Sequence, residues 1–151
     1  MKKILIVILI IAAFLGGGGY WYFEIYQPKQ FAKEFVLIYR DFQVGVRSVI
    51  PPDQPAQGLD EKALIKKYAA VVENTRAKLI DLKPPRKMKS IHLDFVELLD
   101  AFDLFVSNFE FGNFNQAVSD KEQELAKRGN DLDSKIQGLI KTYPELKSLT
   151  E

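Results

Sequence analysis

The sequence predicts an all-α protein: an N-terminal single transmembrane helix followed by an antiparallel, up-down-up-down four-helix bundle. Three observations predict it. An uncharged run extends from Ile4 to Phe23, long enough to span a bilayer. Beyond it, apolar residues recur at steps of three and four in four successive segments, separated by proline, glycine or asparagine. No sustained period-two run competes with that pattern, and no Asn-Gly turn joins alternating segments.

The bulk numbers fit one domain and a targeting element within 151 residues. Formal charge is +1, and without Lys2 and Lys3 the chain has 19 basic against 20 acidic residues. That balance argues against a nucleic-acid partner, which calls for a basic excess on one face. Cysteine is absent. Lipid anchoring through an N-terminal cysteine, disulfides, thiol catalysis and thiolate metal sites all go with it.

The first element, 1–23, reads as a signal-anchor. Ile4 to Leu15 has the length of a cleavable signal core, with Lys2 and Lys3 as its positive end, so secretion after cleavage near Gly19 is the alternative. Retention is preferred because the uncharged stretch continues to Phe23, about 30 Å as a helix. It also ends in Tyr20, Trp21 and Tyr22, aromatic residues of the kind found at the headgroup level. Lys2 and Lys3 then hold the N-terminus in the cytoplasm and place the bulk of the chain outside it. Ala12 with Gly16, and Ala13 with Gly17, are small residues four apart that would let anchors pair into a homo-oligomer; the simpler reading has them facing lipid.

A juxtamembrane link, 24–30, leads into the bundle, 31–144. The first helix, about 29–50, carries Phe31, Phe35, Ile38, Phe42, Val46 and Val49 on one face and stops at Pro51 and Pro52. "PPDQPAQG", Pro51 to Gly58, is a loop. The second helix, about 60–82, has Asp60 as N-cap and the face Leu64, Tyr68, Val71, Thr75, Leu79 and Leu82, closed by Pro84 and Pro85. The third, about 86–111, repeats Met88, Ile91, Phe95, Leu98, Phe102, Phe105 and Phe109, with Leu99 and Val106 widening the stripe as a bundle helix needs. Gly112 ends it and Asn113 caps the next. The fourth, about 114–143, carries Val118, Leu125, Leu132, Ile136, Leu139 and Tyr143. Its early turns, Ser119 to Glu124, are polar, and Pro144 stops it before a C-terminal tail, 145–151. "FGNFNQA", Phe111 to Ala117, resembles the inter-helix turn of a tetratricopeptide repeat, but it occurs once and such arrays need several stacked copies.

Short connections make successive helices antiparallel. Starting from the membrane, that order puts Lys83, Arg86, Lys87 and Lys89 near the bilayer surface and Phe111 and Phe114 at the distal tip. The basic residues are candidates for contact with anionic headgroups, against the plainer reading of a solvated lysine-rich turn. Phe111 and Phe114 are candidates for a partner-binding tip, against the plainer reading that they cap the bundle end.

Catalytic chemistry has no visible constellation. His92 is the sole histidine, at the edge of the third helix's stripe, and no Glu-x-x-His pair exists for a di-iron site. Asp94, Glu97, Asp100 and Asp103 drift around the helix and coat a solvated face. The sequence therefore predicts no catalytic, cofactor-binding or metal site and no cofactor. It predicts a non-enzymatic membrane-anchored module with a protein partner or an envelope-associated structural role. The alternative is a sensor-like bundle binding an apolar small molecule or lipid. It would resemble the periplasmic part of chemoreceptors and need a separate membrane partner.

Overall fold

The structure is a computed structural model that describes residues 22–50, 60–107 and 116–150. Among these it is all-helical, with four main helices: α1 (Gln27–Val49), α2 (Glu61–Asp81), α3 (Lys89–Ser107) and α4 (Gln116–Thr142). A π-helical turn, Tyr22–Tyr26, runs straight into α1, so the stretch expected as a link is itself helical. None of the helices described is long and apolar enough to cross a membrane. The segment expected to do so lies outside the described residues except at Tyr22 and Phe23.

Several helix ends have a local cause. Pro28 fits the first turn of α1, where no N–H is required. At its other end Ile50 is extended (φ −122°, ψ 103°), as a residue preceding proline must be. The Asp60 carboxylate accepts the Lys62 N–H at 3.1 Å and caps α2, a bond worth about 1 kcal/mol. Tyr143, before Pro144, leaves the α-region (φ −127°, ψ 81°) and ends α4.

Neighbouring helices run in opposite directions. Asp41 meets Lys78, and further along α1 Gly45 meets Val71, which lies further back in α2. Arg76 pairs with Asp100, while Leu79 meets His92. Glu97 and Asp94 meet Arg128 and Lys135 in the same crossed order. Across the diagonal, α1 and α3 run in parallel, joined by rings. Phe95 receives Phe35, Tyr39 and Phe42 at centroid distances of 5.6, 5.5 and 5.7 Å, all edge-on, and Phe42 also meets Phe102. Edge-on approach places ring hydrogens against the negative ring face, adding about 0.5–1.5 kcal/mol per pair beyond burial.

One continuous core results, and it draws on all four helices. The expected stripes supply most of it: Phe31, Phe35 and Phe42 from α1, Leu79 and Leu82 from α2, Ile91, Phe95 and Leu98 from α3, Leu132 and Ile136 from α4. It is wider than a single row, because Ala32, Val36 and Tyr39 of α1 and Val72 of α2 are buried as well. Thr75, the buried polar residue of α2, satisfies its hydroxyl by donating to the Val71 carbonyl at 2.8 Å.

The end of the chain departs from expectation. Beyond Pro144 the segment described is not a tail: Pro144–Leu149 forms a 3₁₀ helix that packs on both α1 and α4 and closes the seam between them. Leu146 is its plug, 2% exposed. Lys29 bonds Glu145 at 2.7 Å and holds that carboxyl below its ordinary pKa, and the Arg40 guanidinium donates to the Leu149 carbonyl at 3.2 Å. The chain therefore reaches the lower end of the bundle at Tyr143 and turns back up along α1.

Candidate functional site

The end of the bundle where α1 and α3 begin and α2 and α4 finish brings together residues far apart in sequence. We call it the base. Its first component is the α2–α3 connection. α2 stops as the Leu82 N–H turns back to the Leu79 carbonyl at 3.2 Å, with the Leu82 side chain buried below. Pro85 is extended (φ −59°, ψ 156°), and its carbonyl accepts the Met88 N–H at 2.8 Å, opening a 3₁₀ turn, Arg86–Met88, that feeds α3. Met88 packs inward against the core. Lys83, Arg86, Lys87 and Lys89 are left on the surface.

The second component is the start of the described chain. Tyr22 and Tyr26 stack at 5.7 Å, and with Ile25 they are exposed at 44%, 39% and 47%, large for apolar side chains on one turn. Glu24 sits between them and forms an ion pair with Lys87. That pair, 63 residues apart in sequence, ties the basic turn to the point where the chain enters the bundle.

The α2–α3 turn carries an excess of positive charge. Lys83, Arg86 and Lys89 make no ion pair among the described residues. Arg86, Lys87 and Lys89 also stand at the N-terminal end of α3, where cations oppose the helix dipole by up to about 1 kcal/mol each. Stability would place carboxylates there instead.

Of the residues the sequence singles out, Lys83, Arg86, Lys87, Lys89 and Tyr22 thus share one end of the molecule. Tyr20, Trp21, Phe111 and Phe114 lie outside the described residues. Ile25, Tyr26 and Glu24 join the site without having been anticipated. Glu24 had no local signal, since its partner is distant in sequence.

His92 proves to be a helix terminator. Its Nε2–H donates to the Leu79 carbonyl at 2.9 Å, closing the last turn of α2, and its ring lies against Phe31. Three of the four carboxylates in the acidic row on α3 are paired, Asp94 with Lys135 at 2.5 Å, Glu97 with Arg128 at 2.8 Å and Asp100 with Arg76 at 2.6 Å, and Asp103 is exposed. These exposed bonds to helices on both sides contribute little individually. A cleft of about 590 Å³ runs between α2 and α3, lined by Ala69, Glu73, Arg76, Asp100, Asp103 and Leu104; it is open to solvent, and its one cation, Arg76, is engaged by Asp100. Among the described residues no group of three or more histidine, aspartate or glutamate side chains could hold a metal ion.

Comparison with protein-family models, with curated proteins and with solved structures finds no match for this chain.

Proposed function

We propose that the chain is a single-pass, membrane-anchored helical bundle standing outside the cytoplasm. In this reading it acts as a protein-interaction or envelope-associated structural module rather than an enzyme. One observation carries it: the exposed Tyr22, Ile25 and Tyr26 lie beside the basic turn, tied to it through Glu24 and Lys87, and the uncharged run from Ile4 leads directly into them. Amphipathic aromatic residues and lysines flanking a long apolar stretch are the composition of a helix end at the headgroup level. Lys2 and Lys3 assign the other end of that stretch to the cytoplasm.

The packing of the aromatic stripe favours this reading over the lipid-sensing one. Phe95 is wholly buried and enclosed by three rings of α1, so the stripe is occupied by the protein's own side chains.

Fractionation of bacteria expressing the full chain tests the proposal. The protein should stay with the membrane after alkaline carbonate washing, keep the mass of an uncleaved N-terminus, and be digested by protease added to spheroplasts. A soluble chain beginning just past Gly19 would sink it.

A further inference from the structure

We propose that the base of the bundle docks against the bilayer through anionic lipid headgroups, so that the bundle is held end-on at the surface instead of swinging on its anchor. This rests on the anchored reading above. Three features of the base support it. Lys83, Arg86 and Lys89 are exposed within one short connection and have no ion-pair partner among the described residues, while the Glu24 carboxylate beside them is taken by Lys87. At the opposite end of α2, Lys62, Lys66 and Lys67 have Asp60 and Glu61 beside them in sequence and no exposed aromatic residues adjoining them in the chain, whereas the basic turn meets Tyr22, Ile25 and Tyr26. Tyr22, Ile25 and Tyr26 add an exposed apolar element to that end, suited to the boundary between headgroups and acyl chains. The partner chemistry is a phosphate-bearing surface of extended area, because the cations point outward from a turn and do not converge on a pocket.

The charge term is large enough to measure. Each basic residue near an anionic surface shifts the ratio of docked to undocked molecules about fivefold. Loss of Lys83, Arg86 and Lys89 together should lower that ratio on the order of a hundredfold.

The test uses the full chain in vesicles. The sequence has no cysteine, so Ser90→Cys, an exposed position beside Lys89, gives a single labelling site, and Lys62→Cys gives a distal control. A fluorophore at each is read by energy transfer to a headgroup-labelled lipid in phosphatidylcholine vesicles with or without phosphatidylglycerol. Transfer from position 90 should rise with phosphatidylglycerol, fall as salt screens the charges, and be lost in the Lys83→Gln, Arg86→Gln, Lys89→Gln triple variant with its helix content unchanged. Position 62 should respond to none of these. Transfer from position 90 that ignores lipid charge and salt, in chains that float with the vesicles, overturns the docking and leaves the anchor standing. Stronger competition by inorganic phosphate than by chloride at equal ionic strength also overturns it, in favour of a discrete phosphate site. Chains that do not float overturn the anchor itself.

Discussion

Gly45 shows how a single atom sets the spacing of two helices. A Cβ at this position would lie 2.9 Å from Cγ1 of Val71, so α1 and α2 approach as closely as they do only because nothing is there. Val71 cannot swing away easily, since its branch is at Cβ and its χ1 is held by the helix. Alanine normally gains about 1 kcal/mol over glycine inside a helix, but overpacking costs about 1–3 kcal/mol, and the clash wins. Gly45→Ala should therefore lower stability in chemical denaturation. Adding Val71→Ala should recover part of that loss, so the two changes are non-additive. Gly138 in α4 is the control: nothing approaches its absent Cβ within 4 Å, and Gly138→Ala should stabilise by about 0.5–1 kcal/mol. Glycines on two helices of one chain thus differ in sign, which no helix scale reveals.

At the level of elements, the 3₁₀ segment after Pro144 changes what counts as the bundle. Four helices of unequal burial leave a seam between α1 and α4, and Leu146 fills it while Glu145 and Leu149 bind α1 at two heights. A proline followed by seven residues reads as the end of a helix, and so short a stretch is below the length at which periodicity can be recognised. The longer elements were legible for the converse reason: seven apolar residues from Met88 at steps of three and four admit one helical face and no strand. The width of the α1 face was less so: Val36 and Tyr39 fall outside the row from Phe31 to Val49 yet are buried, Tyr39 against Phe95 of α3. The strap predicts a stability effect larger than its length suggests. Leu146→Ala should cost about 2–5 kcal/mol in denaturant unfolding, the range for truncating a buried leucine. Glu145→Gln, which removes only an exposed ion pair, should change little.

For the whole molecule, topology was readable from connection lengths, whereas the site was only half readable. The basic residues from Lys83 to Lys89 are contiguous and visible in the sequence; their juxtaposition with Ile25 and Tyr26 depends on how the helices close, and the bond from Glu24 to Lys87 that expresses it spans most of the bundle's length in sequence. That closure runs through a single core, with Phe95 of α3 in contact with three rings of α1 although the two helices are not consecutive. A shared core implies that no helix pair is independently stable, so the described domain should unfold in one cooperative step. Phe95→Ala probes this directly. Truncating a fully buried phenylalanine removes its transfer free energy and leaves a cavity, about 3–5 kcal/mol together. Because α1 loses its partner at the same moment as α3, the far-ultraviolet helix signal and the near-ultraviolet tyrosine signal should shift to lower denaturant together, with their midpoints coincident. Separate midpoints would mean that α1–α2 and α3–α4 are two hairpins that merely touch. In that case the base, which takes residues from both, would not be held as one surface for a membrane to meet.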